Sequence, residues 1–466
     1  MKTTTFYKGI SWLLILNLLI KPIWIFAIDR KVQILIGNTA YGEYFSINNF
    51  CLVLYVLADA GISNMLNQKL SFYKEYDLKK LWTAKIILTT LYVIISLFIG
   101  WLNHLDIELL LYVVLIQALT SFLVFTRSII TAHQLFMTDA IISIIDKTLM
   151  IIICGTIIYS FAASMNLMVF LKVQLFCTAA ALLVSLFFAL RKEYKQSHVP
   201  INLKTVLIQL LPFSLILFLM SVHYRLDGFL LLKLFPGNGA EESGIYAKGY
   251  RLLDAGNMVG YLAASFLMPF IARNYNHTTL IKRTVSIVGQ SILTISFSVV
   301  LFFLIFGSWI DMHLYKVSIN YDIEVLQLCM LALPGYYLVH IYSSVLTAKA
   351  DYWRLINVLI VSVLVNLIAN LILIPLYGAL GCCVSAILSQ YLCGIWLFIR
   401  AKLKDQNFGK QIILSILFIG FLLSLYMSGK KLAIDGWIIL GIGGIVTLLF
   451  ILFRVLHWRK SLVSLS

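Results

Sequence analysis

The sequence has few charged residues and no long polar segment, and both features exclude an ordinary soluble protein. Only 12% of the 466 residues are Asp, Glu, Lys or Arg, whereas 61% are hydrophobic. Soluble domains carry about 25% charged and about 45–50% apolar residues. A water-soluble fold of this length could not bury so much apolar surface, so we predict that lipid surrounds most of the chain.

Sequence motifs for nucleotide hydrolysis, metal catalysis and acyl transfer are also absent. There is no GxxxxGKS/T phosphate-binding loop, no HExxH and no GxSxG. The seven cysteines lie inside apolar runs without CxxC or Cys/His spacing, which predicts buried apolar side chains and not disulfides or metal ligands. We therefore expect no enzyme activity, no catalytic residue, no cofactor and no metal. Any energy source would then be an ion gradient, the membrane potential or a substrate's own gradient.

The net charge of +16 does not indicate a nucleic-acid partner. The basic residues lie in short loops between apolar runs, and they form no single amphipathic face. They are concentrated in alternate loops, such as 69–80, 191–204 and 400–410. Because Lys and Arg are retained on the cytoplasmic side, this alternation predicts a multi-pass protein with both termini in the cytoplasm.

The apolar runs predict an all-α integral membrane protein with about fourteen transmembrane helices, since one helix needs about 20 apolar residues to span a bilayer. The predicted spans are 9–28, 44–64, 81–101, 107–130, 138–161, 166–190, 205–232, 246–271, 284–308, 324–347, 354–375, 379–400, 411–428 and 434–455.

A weak internal repeat divides these spans. The letters GEY at 42–44 open the second span, and GIY at 244–246 open the eighth. Because six spans separate the two positions, both repeats have one orientation and form a parallel repeat. We predict an N-lobe at 1–195, a C-lobe at 196–405 with six helices in each lobe, and two additional helices at 406–466.

Ionisable residues inside the predicted spans are the candidates for function, because each costs about 2.5–3.5 kcal/mol to insert. They are concentrated in the first eight spans, which predicts a water-filled cavity between two helical bundles. The set comprises Lys21, Asp59, Lys85, Asp146, Lys147, Lys172, Arg225, Asp227, Lys248, Arg251 and Asp254.

Their positions give different expectations. Lys21 lies too deep to reach either surface, and Pro22 beside it would let the helix bend. Lys85 and Lys172 lie about one turn from a surface and are expected to extend towards it. The adjacent residues Asp146 and Lys147 point about 100° apart on a helix, so they are expected to need separate partners.

Lys248, Arg251 and Asp254 recur every three residues and share one helix face, which suits an anionic ligand and a titratable switch. An exposed polar face at a helix start is the alternative for this group, and a static interhelical ion pair is the alternative for Asp59 or Asp146. As cationic substrate-binding candidates we take Lys21, Lys147, Arg225, Lys248 and Arg251. As ion-coupling candidates we take Asp59, Asp146, Asp227 and Asp254.

Several motifs resemble those of one family. Residues 366–381 read NLIANLILIPLYGALG, residues 346–350 read LTAKA, and residues 57–61 read LADAG. These stretches resemble bacterial polysaccharide and O-antigen flippases of the multidrug/oligosaccharidyl-lipid/polysaccharide exporter (MOP) superfamily. Within the strongest motif we expect Pro375 to end a helix, Gly378 to make a turn, and Asn366 and Asn370 to bond a neighbouring helix.

The resemblance implies two six-helix lobes around a central cavity, with cationic residues that hold a pyrophosphate. The substrate would be an undecaprenyl-pyrophosphate-linked oligosaccharide of a surface polysaccharide such as the O-antigen of lipopolysaccharide. It would move by alternating access across the bacterial inner membrane, and a polysaccharide polymerase or chain-length regulator is a further expected partner.

Three alternatives stay open. A multidrug or small-solute antiporter of the same fold is disfavoured by the excess of Lys and Arg in the core. A flippase of a lipid-linked peptidoglycan precursor is closely related, and the sequence separates it poorly. A membrane polysaccharide polymerase is disfavoured because the longest predicted outer loop, 233–245, contains no histidine.

Overall fold

The chain folds into helices throughout the part that the structure describes. The computed structural model describes residues 12, 16–17, 19–63, 65–66, 78–191, 203–316, 319–401 and 436–463, with 417–418, 420–421, 424–425 and 427–428. No strand occurs among these residues, which confirms the predicted all-α class.

The first half contains a π-helical turn, Trp24–Asp29, that continues directly into α1, Arg30–Ile36. The helices that follow are α2 (Asn38–Leu54), α3 (Val56–Asp59), α4 (Leu78–Leu102), α5 (Ile107–Ala132), α6 (Phe136–Ser160), α7 (Leu167–Leu190) and α8 (Leu203–Leu234).

The second half begins with two helices that are longer than a bilayer requires, α9 (Gly239–Arg273) and α10 (Thr278–Tyr315). They are followed by α11 (Asn320–Leu331), α12 (Leu333–Ala348), α13 (Tyr352–Tyr377), α14 (Ala379–Arg400) and α15 (Gly436–Val463).

Ten helices among the described residues are long and apolar enough to cross a membrane. They coincide with predicted spans three to twelve, with α11 and α12 acting as one span, Asn320–Ala348. Span thirteen, 411–428, lies largely outside the described residues, and the total of fourteen stays a prediction. The chain is therefore a multi-pass membrane protein.

The helices form two compact units. Unit 1 comprises Met1–Lys233 and Gly237–Gly244, and unit 2 comprises Leu234–Pro236 and Ile245–Ser466. The three-part division predicted from the repeat, at 1–195, 196–405 and 406–466, stays a prediction.

The first glycine of each GxY repeat motif lies at a close backbone contact in unit 1. A Cβ atom on Gly42 would lie 1.9 Å from the Ala240 carbonyl oxygen and 2.4 Å from the Gly244 nitrogen. One on Gly244 would lie 2.1 Å from the Asn38 carbonyl oxygen. Since no side chain fits between these backbones, both positions require glycine.

The stretch at 366–381 makes the predicted turn, and Asn366 bonds the neighbouring helix as predicted. Helix α13 ends at Tyr377, two residues after Pro375, and Gly378 turns the chain with a φ of 56°. Asn366 donates a hydrogen bond across to Ser389 of α14 at 3.2 Å, and Asn370 bonds Asn366. The motif therefore fixes a tight helical hairpin.

The prediction for the cysteines is also confirmed. All seven are buried and unbridged. Cys329 and Cys383 come within hydrogen-bonding distance, with their sulfur atoms 3.3 Å apart.

Candidate functional site

A break in the second predicted span creates the candidate site in unit 1. Helix α3 ends at Asp59, and the next two residues, Ala60 and Gly61, have φ angles of 44° and 79°. A left-handed alanine costs roughly 1–2 kcal/mol, so the surrounding contacts must hold it in place. The break also removes backbone carbonyl groups from the helical hydrogen-bond pattern.

Side chains from α8 bind one carbonyl group at the break and another about two turns before it. Ser214 donates to the Ala60 carbonyl oxygen at 2.8 Å, and Ser221 donates to the Leu52 carbonyl oxygen at 2.9 Å. Irregular backbone in a membrane protein is tolerated where protein groups or a water-filled cavity satisfy it. The two serines thus join α8 to the broken helix.

A buried lysine binds the Ala58 carbonyl, just before the break, and the carboxylate of the adjacent Asp59. The Nζ atom of Lys85 lies 2.7 Å from Asp59 Oδ1, 2.6 Å from Ser121 Oγ and 3.0 Å from the Ala58 carbonyl oxygen. These three contacts match the three donors of an ammonium group. Ser63 also bonds the Asp59 carboxylate.

The expectation that Lys85 extends towards a membrane surface is therefore wrong. Its side chain is 0% exposed, whereas that of Asp59 is 15% exposed. Hydropathy locates Lys85 near a helix end, but the acceptors provided by the break hold its ammonium group inside the bundle. Lys172, which carried the same expectation, is exposed.

A cavity of about 340 Å³ adjoins the break. Two of the residues singled out by sequence, Asp59 and Arg225, line it together. Ser63, Tyr55 and Ser221 add polar groups, and the remaining lining residues are Leu52, Val56, Ala60, Gly61, Val124 and Leu217. The wall is therefore largely apolar with a few polar groups, as is common for ligand sites.

An arginine and a paired carboxylate share this cavity. Arg225 is half-buried and Asp59 faces the same space, and Lys85 pairs with the Asp59 carboxylate. A guanidinium can bind two oxygens of a phosphate at once, so Arg225 suits a phosphorylated ligand.

The π-helical turn positions a second group of predicted residues in unit 1. Lys147 Nζ lies 5.4 Å from the ring centre of Trp24, which is the first residue of the turn, and 3.3 Å from Asp146 Oδ2. The expectation that Asp146 and Lys147 need separate partners is therefore wrong, because the flexible lysine side chain reaches back to its neighbour. Lys21 lies in the helical segment just before the turn and is exposed.

Asp29, the last residue of the π-helical turn, is an acid that is not among the candidates from the sequence. It is 3% exposed and accepts a hydrogen bond of 2.8 Å from Tyr41. An aspartate at the edge of an apolar run is easily assigned to a loop. The helical segment continues through residue 36, however, so Asp29 lies within it and is buried.

Asp227 lies in α8 where that helix approaches α2 within unit 1. Its neighbour Gly228 would place a Cβ atom 2.7 Å from the Phe45 ring, and the Gly228 carbonyl accepts a 2.8 Å bond from Ser46. Asp227 is 1% exposed and does not line the cavity that holds Arg225. The two residues therefore occupy different surroundings, because residues two apart on a helix point to different sides.

In unit 2, Lys248 lies in a buried ion pair. Its Nζ atom is 2.6 Å from Asp322 Oδ2, and the two side chains are 5% and 3% exposed. Asp322 and the nearby buried Asp311 are acids that are not among the candidates from the sequence. Both fall just outside the predicted spans, because hydropathy windows stop at polar residues whereas α10 continues to residue 315 and α11 begins at residue 320.

The other two predicted residues of unit 2, Arg251 and Asp254, are half-buried on α9. The next turn of this helix packs against α12. Tyr337 donates to the Gly256 carbonyl at 2.7 Å, and His340 Nε2 lies 2.9 Å from Asn257 Oδ1. The polar stretch predicted for this helix face therefore continues for at least one more turn.

Comparison with known proteins identifies a family and a fold. A family model described as "Polysaccharide biosynthesis protein" matches residues 6–275, which is more than half of the chain. No curated protein sequence gives a significant match.

Three solved structures are similar over most of the chain. The lipid II flippase MurJ, in an inward closed conformation, matches with a TM-score of 0.72 and 15% identity, covering 98% of this chain and 99% of that one. A mutant of the Vibrio cholerae MATE transporter VcmN matches with a TM-score of 0.58 and 14% identity, covering 86% and 97%. An inward-facing MATE family transporter of the MOP superfamily matches with 0.59 and 14%, covering 83% and 96%. These matches confirm the transporter fold.

Proposed function

Since this chain belongs to the polysaccharide biosynthesis protein family, we propose that it flips an undecaprenyl-pyrophosphate-linked oligosaccharide across the bacterial inner membrane. The resemblance that the motifs carry is confirmed at the level of family and superfamily fold. The chain is thus a membrane transporter with a flippase-like fold. The proposal concerns its cargo, which would be a repeat unit of O-antigen, capsule or another surface polysaccharide.

The observation that carries the proposal is the cavity in unit 1 that is lined by both Arg225 and Asp59. Lys85 pairs with Asp59 beside the cavity, and Arg225 adds a guanidinium to its lining. A pyrophosphate provides several oxygens for the guanidinium of Arg225. The similarity to a lipid II flippase supports a lipid-linked cargo in addition.

The other candidate cations extend this proposal. Lys21, Lys147 and Arg251 are partly or fully exposed within the described structure and would contact the pyrophosphate or the sugars as the cargo moves. Lys248 is held by Asp322, so we assign it to the interior of unit 2 and not to the cargo. Among the acids, Asp59 beside the cavity is our first candidate for ion coupling, ahead of Asp146, Asp227 and Asp254.

The transport step needs no covalent chemistry. The lipid tail would stay in the bilayer while the charged head group passes through a polar route by alternating access, from the cytoplasmic to the outer leaflet. We propose that both termini are cytoplasmic and that a polysaccharide polymerase or chain-length regulator receives the cargo outside.

The proposal is tested by replacing Arg225 in a strain that depends on this chain for surface polysaccharide. We expect Arg225→Ala to abolish export while the amount of protein in the membrane is unchanged. Arg191→Ala is the matched control, because Arg191 stacks on Phe187 at 3.9 Å at the end of α7, away from the cavity. Normal export by Arg225→Ala, Lys21→Ala and Arg251→Ala would refute the cationic cargo site.

The cargo itself is tested with purified protein in lipid vesicles. Fluorescent lipid-linked oligosaccharide should reach the opposite leaflet with the wild type and not with Arg225→Ala. Preferential movement of a lipid-linked peptidoglycan precursor would favour the related flippase, and movement of a cationic drug alone would favour an antiporter. The guanidinium of Arg225 in the cavity lining disfavours the antiporter.

A further inference from the structure

Unit 2 contains its own group of charged residues. Lys248 in α9 pairs with Asp322 in α11 at 2.6 Å. Tyr315 at the end of α10 donates a hydrogen bond of 3.2 Å to the Lys248 carbonyl, and the Lys248 ammonium lies 5.5 Å from the Tyr315 ring centre. Three helices therefore meet at this ion pair.

Asp311, one turn before Tyr315, is a second carboxyl group at the same place. Its side chain is 0% exposed, and the charged groups that act on it are Lys248 and Asp322. Within the described structure, neither of its carboxyl oxygens has a hydrogen-bond partner. The Lys248 ammonium is already committed to Asp322.

The charge count of this group is unbalanced. Two buried carboxyl groups face one buried ammonium, so full ionisation would leave one buried negative charge. An ionised carboxylate without donors is strongly destabilising in a protein interior, and protonation removes that cost. One proton on Asp311 makes the group of three neutral.

Other titratable side chains near Asp311 in the sequence do not change this count. His313, Lys316 and Glu324 are all exposed, and His313 bonds the Trp309 carbonyl of its own helix. Where α15 packs against α10, the contacts include Phe306 and Trp437. Among the described residues, Lys248 from α9, Asp322 from α11 and Tyr315 are the charged or titratable groups around Asp311.

We propose that Asp311 is a proton-binding site and that its proton couples transport to the proton gradient. The coupling rests on the proposed function, whereas proton binding does not. Release breaks the O–H bond of Asp311 and passes the proton to water, and Lys248 can then turn from Asp322 to the new carboxylate. A metal ion is disfavoured, because no group of three His, Cys, Asp or Glu residues suited to a metal occurs among the described residues.

Infrared difference spectroscopy tests proton binding without any transport. Purified wild-type protein in lipid vesicles should show a buried carboxylic-acid C=O band that is lost at high pH, and Asp311→Asn should lack that band. Asp351→Asn is the matched control, because Asp351 is 28% exposed and pairs with Arg354. Asp311→Glu keeps a carboxyl group at this position and should shift the band. This variant is the test if Asp311→Asn does not fold.

A wild-type spectrum without the band, or a band that Asp311→Asn retains, would overturn the proposal. Coupling is tested in the same vesicles with a pH gradient and lipid-linked oligosaccharide. A gradient should accelerate the wild type and leave Asp311→Asn unaffected; an equal response in both overturns the coupling. If neither protein moves the oligosaccharide while the band is assigned to Asp311, the proposed function fails and the proton site stands.

Discussion

A buried lysine–aspartate ion pair of nearly the same length occurs in each unit, and the two pairs differ in what surrounds them. Lys85–Asp59 spans 2.7 Å and Lys248–Asp322 spans 2.6 Å. The first pair borders a cavity that also holds a second cation, Arg225. The second pair lies beside a second acid, Asp311, which is fully buried.

We therefore propose a function for the third charged residue and not for the pair. In each case the ion pair neutralises itself. The third residue is a cation in unit 1, which suits an anionic head group, and an acid in unit 2, which suits a proton. The following substitutions test this division, beginning with the largest expected effect.

Lys248→Met should cause the largest loss of stability, because it leaves two buried carboxyl groups without a cation. Removing one partner of a buried pair costs about 3–5 kcal/mol. Thermal unfolding in detergent at neutral pH should show a clearly lower midpoint. The double variant Lys248→Met/Asp322→Asn should recover most of the lost stability. A Lys248→Met variant as stable as the wild type would contradict the buried environment of this ion pair.

Lys85→Met should cost less, about 2–3 kcal/mol, because Asp59 faces a cavity and keeps its bond to Ser63. The same unfolding measurement checks it, and Asp59→Asn in the same chain should restore stability. If Lys85→Met proves more harmful than Lys248→Met, the contrast between an open and a sealed pair is wrong.

Arg225→Lys should keep the positive charge beside the cavity but lose the bidentate contact with phosphate. We expect a roughly tenfold lower rate of oligosaccharide movement, which corresponds to about 1.4 kcal/mol, with unchanged unfolding. Vesicle flipping assays measure the rate. A lysine variant as fast as the wild type would reduce the role of Arg225 to its charge alone.

Ser221→Ala and Tyr315→Phe should have the smallest effects, since each removes one hydroxyl that bonds a backbone carbonyl. The bonds are 2.9 Å to Leu52 and 3.2 Å to Lys248, and each loss should cost about 1 kcal/mol of stability. Ser128→Ala is the control, because that exposed serine bonds only the preceding turn of its own helix among the described contacts. Only Ser221→Ala should also slow transport, because Ser221 lines the cavity.

Hydropathy predicted most of the fold. The ten spanning helices agree with spans three to twelve because a run of about 20 apolar residues has no soluble alternative. The hairpin at 366–381 was also predictable, since Pro375 removes a backbone donor and Gly378 permits a positive φ whatever their neighbours are.

The partners of the charged residues could not be predicted in this way. The sequence placed Lys85 near a surface, but the acceptors that bury it arise from a helix break 25 residues earlier, at Ala60. Asp311 and Asp322 were missed because each lies at a helix end beyond the apolar window. Pairing in the interior depends on which helix faces meet, and periodicity in one helix does not contain that information.

The π-helical turn at Trp24–Asp29 has a consequence for how this chain can change over time. A π-turn accommodates one more residue than the α-helix around it, and each residue of an α-helix turns the chain by about 100°. Deleting a single codon within the turn would therefore swing Lys21, which precedes it, by about 100° around the helix axis. The direction of that ammonium group is set by the length of a six-residue stretch, and it can be redirected without replacing any charged amino acid.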